Sequence, residues 1–369
     1  MAIELHPPLP AATLTIDLAA LCANWRHLAA QGPVAGACAA VVKANGYGLG
    51  ARPVAAALYA AGCRHFFVAL VDEALHLRPH LPADTQLFVL HGALPGAEAD
   101  CAAQQLIPVL NSLEQIERWR AQAARSGRRL PAALQVDTGM ARLGLVPDEW
   151  ARVDAQALQG IEPVLLMSHL VSAEDPADPI NALQLQRFQT ARRHWPGVPC
   201  SLANSSGVFL GPDWHFDILR PGAALYGVAP TLGRANPMRP VVRLQAPLIR
   251  WHRVEAGAGV GYNHIWQAQG PRHIATLSVG YADGWLRSLS NRASLRFQGQ
   301  TVPLVGRVSM DTITVDVTDV APDRLQPGVG FDLIDELHDI NVLAAEAGTN
   351  AYEVLTSLGQ RYHRNYLAP

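Results

Sequence analysis

Short apolar stretches alternate with longer amphipathic ones over the first 240 residues, and this alternation constrains the fold more than any other feature of the chain. After an opening strand around Leu14–Leu18, it predicts strands at Ala37–Val42, His65–Leu70, Gln86–His91, Leu106–Asn111, Ala133–Asp137, Val164–His169, Ser201–Ser205 and Phe216–Arg220. Most intervening gaps carry a helix pattern, such as the capped start at Ser112–Gln115 and the polar-faced stretch Asn181–His194. Eight strands with helical crossovers fit a parallel (β/α)₈ TIM barrel better than an open doubly wound sheet. The first strand is also not followed by the G-x-G-x-x-G motif of dinucleotide-binding folds.

The pattern changes after about Pro240, where short alternating strands with Gly and Pro turns replace the helices. These strands are predicted at Leu244–Val254, Arg272–Val279, Ala293–Phe297, Thr301–Val308 and Thr312–Val317. Hardly any helix is expected here before a last one near Glu353–Tyr362. We therefore predict an α/β barrel domain at 11–240 and a mostly β domain at 241–369, with the N-terminal strand as a candidate further strand of the second domain.

Composition excludes several classes of protein. With 369 residues, 49% of them hydrophobic, the chain can bury a large core, and its formal charge of −2 gives no basic field for nucleic acid or an anionic membrane. The five cysteines are scattered, without a C-x-x-C pair, which favours a reduced, cytoplasmic protein with neither a disulfide framework nor a bound metal. The N-terminus has no signal-peptide pattern, and no apolar run approaches the ~20 residues of a membrane span.

Lys43 is the only lysine among 29 basic residues. A primary amine can lose its proton and condense with an aldehyde, whereas a guanidinium stays protonated, so a chain that otherwise uses only arginine points to a chemical role for this residue. One lysine left by chance in an arginine-rich composition is the alternative. The position argues against chance, because Lys43 ends a buried strand and precedes the glycine-containing turn Asn45–Gly48.

Distinctive polar residues follow five of the predicted barrel strands: Lys43, Arg142, His169, the run Asn204–Gly207, and the run Arg220–Ala223. Each alone has an ordinary structural explanation, such as a satisfied histidine, a surface arginine or a helix cap. In a (β/α)₈ barrel, however, the carboxyl ends of the strands meet at one mouth, where active sites lie. The hydroxyls and N–H groups of the last two runs would form a phosphate cradle. A lysine beside such a cradle predicts covalently held pyridoxal 5′-phosphate.

The segment Val41–Gly48 resembles the cofactor-lysine signature of the alanine racemases, which are fold-type III pyridoxal phosphate enzymes. Further family motifs are matched, in family order, by Val136–Gly144, Ala203–Ser205, Arg220–Gly227, Gly280–Trp285 and Gly306–Asp311. The resemblance extends over nearly the whole chain. It implies a homodimer of barrel and β-domain chains that acts on a small amino acid, with each active site completed by the partner's β-domain.

The resemblance also assigns roles to individual residues. Lys43 and Tyr281 of the partner subunit would be the two bases that exchange the α-proton on opposite faces of the substrate. Arg142 and the Met310 backbone would bind the substrate carboxylate. The residues implied to contact the cofactor are Lys43, Tyr47, His169, Asn204, Ser205, Arg220, Gly222, Ala223 and Tyr352.

A phenol has an unperturbed pKa near 10, so Tyr281 needs cationic or hydrogen-bonding help to act as a base near neutrality. The family resemblance supplies that help through a chain from Tyr281 to His169 to Arg220. It also places Arg220 against the pyridine nitrogen of the cofactor. Because an arginine does not release its proton, this contact limits the ring as an electron sink and favours racemisation over transamination and decarboxylation.

Two positions depart from the family pattern. Leu49 stands where the family commonly has histidine, and Gln135 stands where many members carry a carbamylated lysine that holds the arginine corresponding to Arg142. A neutral amide can accept a hydrogen bond from Arg142, but it brings no charge and cannot be carbamylated.

Three other functions fit the sequence less well than racemisation. A fold-type III decarboxylase would be expected to carry a C-terminal cysteine, yet the last cysteine is Cys200, within the barrel segment. A non-catalytic pyridoxal phosphate carrier would not need the β-domain, and an aldolase that forms an imine without a cofactor would not need the phosphate cradle. Alanine is the family's usual substrate, and serine or another small amino acid remains open. The sequence also leaves open whether the product serves peptidoglycan synthesis or D-alanine breakdown.

Overall fold

The computed structural model describes residues 12–32 and 38–369. Within these ranges the chain forms two units. One comprises Ala20–Arg239, and the other comprises residues 12–19 together with Pro240–Pro369. The first residue of the predicted strand Ala37–Val42, and residue 11 of the predicted barrel domain, lie outside the described residues.

The strands are β1 Thr13–Asp17, β2 Ala40–Val41, β3 His65–Val68, β4 Gln86–Val89, β5 Ile107–Leu110, β6 Leu130–Gln135, β7 Ile161–Met167, β8 Cys200–Ser201, β9 Val242–Val254, β10 Gly259–Val260, β11 Trp266–Gln267, β12 Arg272–Leu277, β13 Ser294–Phe297, β14 Gln300–Pro303, β15 Ile313–Asp316, β16 Gly330–Ile334 and β17 His363–Leu367. The helical segments are α1 Leu18–Ala29, α2 Lys43–Tyr47, α3 Ala51–Ala61, α4 Val71–Leu77, α5 Glu98–Ala103, α6 Leu113–Ser126, α7 Pro147–Trp150, α8 Ile180–Ala191, α9 Ile340–Ala347 and α10 Ala351–Ser357. Of these, α2 is a left-handed turn rather than a regular helix.

The first unit is a closed barrel. Strands β2 to β8 form one parallel sheet in chain order. The ring closes because the N–H groups of Ala39 and Val41 donate to the carbonyls of Leu219 (2.8 Å) and Pro221 (3.0 Å). A parallel bridge between Cys38 and Leu219 lies at the same junction. The predicted (β/α)₈ TIM-barrel fold is therefore confirmed.

The eighth position of the ring differs from the prediction, because Phe216–Arg220 is not a regular strand. Phe216 has a φ of 51°. The N–H groups of the next two residues both donate to the carbonyl of Cys200, at 2.9 and 3.2 Å, and Pro221 has no N–H to offer. A few separate hydrogen bonds on each side therefore take the place of a continuous ladder.

The barrel strands end earlier than predicted, which places the functional residues on the loops beyond them. The predicted strands Val164–His169 and Ser201–Ser205 correspond to β7 and β8, which end at Met167 and Ser201. The side chains of the following residues are thus free to turn into the mouth of the barrel rather than alternate across a sheet.

The second unit is built around a mixed sheet with the order β14-β13-β16-β9-β1-β17, and β12 and β15 extend it from β9. The N-terminal strand β1 is a central member, antiparallel to β9 and parallel to β17. A mostly β second unit is confirmed. The sheet could not be assembled from local sequence pattern alone, because both neighbours of β1 follow it by more than two hundred residues.

The expectation of hardly any helix after Pro240 is wrong for α9. The carboxylate of Asp339 caps α9 by accepting the N–H groups of its second and third residues at 2.9 and 3.0 Å, and Gly348, with a φ of 71°, ends the helix. The predicted helix Glu353–Tyr362 is instead α10, which ends at Ser357. Tyr362 leads into β17, whose strand conformation depends on pairing with the distant β1.

Among the described residues, no helix is long and apolar enough to cross a bilayer.

Replacing Phe331 by alanine should destabilise the second unit selectively. Its ring is fully buried in β16 and stacks on Phe297 of β13 with centroids 4.4 Å apart. Phe331→Ala should lower the free energy of unfolding of this unit by about 3–5 kcal/mol, whereas Phe331→Leu should cost much less because it fills most of the same volume. Hydrogen exchange should show lost protection in β13, β16 and β9, and unchanged protection in the barrel strands. Equal loss in both units would contradict the expectation.

Candidate active site

Lys43 follows β2 and begins a left-handed turn. The four residues after it have φ values between 52° and 65°. Hydrogen bonds run from the N–H of Gly46 to the carbonyl of Val42 (2.9 Å) and from the N–H of Gly48 to the carbonyl of Ala44 (2.8 Å). Each residue other than glycine in this conformation costs about 1–2 kcal/mol. The turn that presents the lysine is therefore maintained by its surroundings rather than by local preference.

The turn places Tyr47 against the loop that follows the eighth position of the barrel. The Tyr47 ring stacks on Tyr226 with centroids 4.6 Å apart, and the Tyr226 hydroxyl donates to the carbonyl of Val41 at 3.1 Å. Burial raises the pKa of Tyr226 well above its usual value, so it remains a donor. A Cβ atom at Gly222 would overlap the Tyr47 hydroxyl, which explains why a glycine stands there.

A set of hydrogen-bond donors for an anion lies beside Tyr47. The Ser205 hydroxyl oxygen accepts the N–H groups of Gly222 (2.9 Å) and Ala224 (3.1 Å), which leaves its own proton for another acceptor. The buried N–H of Ala223, between them, donates to no acceptor in residues 12–32 and 38–369. Convergent hydroxyl and backbone N–H groups of this kind bind phosphate.

Asn204 contributes to this loop mainly as a structural residue. Its side-chain oxygen accepts the N–H of Gly207 at 2.9 Å, and its side-chain nitrogen donates to the carbonyl of Leu170 at 3.3 Å. It therefore stabilises the chain entering the short 3₁₀ turn at Gly207–Leu210 and ties the loop after β8 to the loop after β7.

Arg220 is a buried cation with neutral partners. Its guanidinium donates to the Ser201 hydroxyl and to the backbone carbonyl of Ser168, and the residue is only 4% exposed. Burial lowers the pKa of Arg220 to about 9, so the group still carries its charge near neutrality. In the described part of the chain no carboxylate forms an ion pair with it.

Several cationic groups meet at the mouth of the barrel. Burial, and after it the charge of Arg142, lower the pKa of the Lys43 amine, while the carboxylate of Glu73 opposes them. The pKa of His169 is lowered to about 3 by burial and then by the charges of Arg220, Lys43 and Arg142. His169 is therefore a neutral imidazole at physiological pH, and Lys43 has an increased fraction of unprotonated amine.

A buried polar network fixes the backbone at His169. The fully buried amide of Gln184 donates to the His169 carbonyl at 2.9 Å and accepts the N–H of Val171 at 2.9 Å. It also donates to the hydroxyl of Thr138 at 3.1 Å, and this hydroxyl lies 2.7 Å from that of Ser168. Helix α8 thus holds the ends of β6 and β7 together.

The turn that carries Arg142 is organised by Asp137. One carboxylate accepts N–H bonds from three successive residues, Gly139 (2.8 Å), Met140 (2.9 Å) and Ala141 (3.0 Å). The turn therefore projects Arg142 from a fixed backbone, while the side chain itself is exposed.

Gln135 does not hold Arg142 in the way the sequence suggested. The buried Gln135 amide nitrogen donates to the carbonyl of Leu143 at 3.2 Å. Within the described residues the Arg142 guanidinium donates to no side-chain or backbone acceptor. The other departure, Leu49, is fully buried, so an apolar side chain suits its position.

The remaining predicted residues lie in the second unit. Tyr281 begins a short 3₁₀ turn ending at Asp283, whose buried carboxylate pairs with Arg361 at 3.0 Å. Tyr281 is 44% exposed, Met310 is 53% exposed and Tyr352 of α10 is 42% exposed. The carbonyl of Met310 accepts the N–H of the residue after Tyr281 at 3.0 Å, so these two candidates share one surface.

The structure brings Lys43, Tyr47, His169, Arg220 and the cradle residues to one end of the barrel, as the sequence predicted. It also shows supporting residues that sequence reasoning missed. Gln184 gave no signal, because a glutamine within a polar-faced helix looks solvent-exposed. Glu73 does carry a sequence signal, because it is the third residue of a helix. A carboxylate at that position can accept the N–H of the residue that precedes the helix.

These features define a lysine-centred anion site at the mouth of a (β/α)₈ barrel, in a chain whose second unit is mostly β. Residues 16–230 match the family described as "Alanine racemase, N-terminal domain", and residues 241–366 match "Alanine racemase, C-terminal domain". The chain belongs to the alanine racemase family.

Individual relatives agree with this assignment. The alanine racemase of Rhodospirillum rubrum is 50% identical over 98% of this chain and 97% of its own length. A catabolic alanine racemase of Mesorhizobium japonicum is 49% identical over 96% of this chain and 93% of its own length. The crystal structure of alanine racemase from Bartonella henselae, with covalently bound pyridoxal phosphate, superimposes with a TM-score of 0.93 at 41% identity, covering 97% of this chain and 99% of that one.

The neutral state of His169 can be tested by pH titration. Its folded pKa of about 3 lies below the unfolded value of about 6.5, so the unfolded state binds the extra proton first. The resulting stability is present above pH ~6.5 and is lost as the pH falls toward the folded value. NMR should show constant His169 ring shifts from about pH 5 to 9, and His169→Gln should reduce the acid-side loss of stability. A ring titration near pH 6.5 would contradict the assignment.

Proposed function

We propose that this chain is a pyridoxal phosphate-dependent isomerase that interconverts L-alanine and D-alanine, with Lys43 as the residue that carries the cofactor. The observation that carries the proposal is the position of this single lysine, on a left-handed turn beside a set of anion-binding donors. Membership of the alanine racemase family supports the activity. The bound cofactor of the Bartonella henselae relative supports the choice of group.

The residues present fit this cofactor. The Ser205 hydroxyl, the N–H of Ala223 and the Tyr47 hydroxyl against Gly222 would hold its phosphate. Arg220, whose hydrogen bonds fix its guanidinium, would face the pyridine nitrogen and keep its own proton. Tyr352 would contribute a further phosphate contact.

When bound, pyridoxal phosphate withdraws electrons from the substrate α-carbon and so acidifies the α-proton. The Nζ atom of Lys43 would exchange that proton on one face of the substrate, and its lowered pKa favours the unprotonated amine that this role needs. The Oη atom of Tyr281 of the partner subunit would serve the other face. Arg142 and the Met310 backbone would orient the substrate carboxylate.

The proposed active unit is a homodimer with two shared sites. It rests on the family resemblance and on the occurrence of Lys43 and Tyr281 in different units of the chain. The exposed positions of Tyr281, Met310 and Tyr352 are consistent with residues that serve a site on another subunit. We further propose that the enzyme acts in the cytoplasm, where its D-alanine product is available for peptidoglycan synthesis, and the same site would serve D-alanine breakdown.

Borohydride reduction should attach a pyridoxyl group to Lys43 when the purified protein is active. Peptide mapping is unusually clear here because the chain has no other lysine. The matched control, Lys43→Arg, keeps the charge but not the amine that condenses with the cofactor. It should not be labelled, and its racemase activity should fall by a factor of about 10²–10⁴. Unlabelled Lys43 recovered from an active preparation would contradict the cofactor assignment.

Polarimetric assays with L-alanine and L-serine would test the substrate. Turnover of L-serine in preference to L-alanine would show that the proposed substrate is wrong.

Mixing two inactive variants tests the shared site. Lys43→Ala and Tyr281→Ala homodimers should each be nearly inactive, because each lacks one base at both sites. After dissociation and random re-pairing, about half of the dimers are hybrids, and each hybrid has one intact site because a two-fold interface exchanges partners reciprocally. About a quarter of all sites should then recover.

The control for this experiment is each variant put through dissociation and re-pairing alone, which should restore nothing. Subunit exchange is verified by mass spectrometry of differently tagged chains. If exchange occurs and activity does not return, Tyr281 does not act on the partner's site.

A further inference from the structure

The strained turn at Lys43 needs an external anchor. Four consecutive left-handed residues, three of them not glycine, would relax if only their own hydrogen bonds held them. The lysine is the first residue of this turn, so any relaxation would displace its side chain.

Glu73 supplies that anchor across two neighbouring strands. It is the third residue of α4, and its Oε1 atom accepts the N–H of Ala44 at 2.6 Å. Its Oε2 atom accepts the N–H groups of Ala69 at 2.7 Å and Leu70 at 3.2 Å. One carboxylate therefore joins the turn after β2 to the loop after β3.

Capping of α4 accounts for only part of this geometry. A glutamate at the third helical position commonly accepts the N–H of the residue before the helix, which here is Leu70. The bond from Ala44 comes from a different strand end, almost thirty residues earlier in the chain, and contributes nothing to the helix. It is also the shortest of the three bonds, as expected of a charge-assisted contact.

We propose that Glu73 is a positioning residue for Lys43, which it holds in the left-handed turn through the hydrogen bond between its carboxylate and the N–H of Ala44. This inference rests on the proposed function, in which Lys43 carries the cofactor and exchanges the proton. Glu73 itself acts only through the backbone and through its charge.

The charge of Glu73 has a second consequence. Among the described residues, the charged and titratable groups that face the Lys43 amine are Arg142, His169 and Glu73. Only Glu73 is anionic, and it raises the pKa of Lys43 against burial and Arg142, which lower it. Removing this charge should therefore lower the Lys43 pKa further, and a loss of the hydrogen bond without loss of charge should not.

Two variants separate the bond from the charge. Glu73→Asp keeps the charge but shortens the reach by one methylene, about 1.5 Å, so it can still cap α4 while losing Ala44. Glu73→Gln removes the charge and leaves a single acceptor oxygen. The matched control is Asp72→Asn, which removes the exposed carboxylate next in sequence on the same helix. In the described part of the chain the Asp72 carboxylate makes no hydrogen bond to the turn.

We expect kcat to fall about tenfold to a hundredfold in both Glu73 variants, with little change in KM, and to be unchanged in Asp72→Asn. In the direction in which Lys43 removes the proton, the acid limb of the kcat–pH profile should move to lower pH in Glu73→Gln and stay in place in Glu73→Asp. Hydrogen exchange of the full-length protein should be faster at Ala44–Gly48 in both variants.

A purely structural role for Glu73 predicts a different result. Both variants would then lower the melting temperature and the protection of α4, with the exchange of Ala44–Gly48 and the pH profile unchanged, and this outcome would overturn the inference. Failure of the proposed function can be told apart from failure of this inference. It would appear as a Lys43 that carries no pyridoxyl label after borohydride reduction of the protein without substitutions. The exchange measurement at the turn does not depend on activity.

Discussion

The closure of the barrel at a single point determines where every other part of the site lies. The N–H groups of Ala39 and Val41 bond to the segment Leu219–Pro221, and this junction sets the loop of Gly222 beside the turn of Lys43. The lysine and the anion cradle come from opposite ends of the barrel segment, so only closure of the ring can bring them together. The irregular eighth position is consistent with this role, because the chain there leaves the ladder at once to form the cradle.

Electrostatic strain at the mouth of the barrel is compatible with a bound anion. Arg220 is buried with a hydroxyl and a carbonyl as partners, and in the described residues it has no ion pair. A buried cation without a carboxylate is costly to fold. Lys43 and Arg142 add to the positive potential. Burial, and after it the charges of Arg220, Lys43 and Arg142, lower the pKa of His169 and keep its ring neutral. A phosphate group bound at the cradle would offset this excess, so cofactor affinity and fold stability are expected to be coupled.

The sequence was sufficient for features that depend on local pattern. The alternation of apolar and amphipathic stretches predicted the barrel, and Ser112 was correctly placed as the residue that caps α6, where it accepts the N–H of Gln115. Strand ends with unusual polar residues indicated the site, because barrel geometry brings such ends together whatever the details of packing.

What the sequence did not predict depends on contacts between distant segments. Strand β17 forms because β1 pairs with it, and no pattern within His363–Leu367 reveals that partner. Gln184 lies on a helix whose outward face is polar, so its burial follows only from the way α8 packs over the ends of β6 and β7. Helix α9 was a different case. Its capping residues Asp339 and Gly348 are a helix signal that the sequence carries locally, and the prediction for this β-rich region did not use it.

The orientation of Arg142 can be fixed by its backbone as well as by a charged side-chain partner. The sequence offered Gln135 as a neutral replacement for a charged partner, and the structure gives its amide to the carbonyl of Leu143 instead. The backbone before Arg142 is fixed by the carboxylate of Asp137, through N–H bonds from three successive residues. The turn is thus pre-organised while the guanidinium stays available for a carboxylate. A side chain that is aimed by its backbone and has no ion-pair partner among the residues that the structure describes need not break such a contact to bind substrate. The loss of the charged partner therefore does not by itself imply a loss of function.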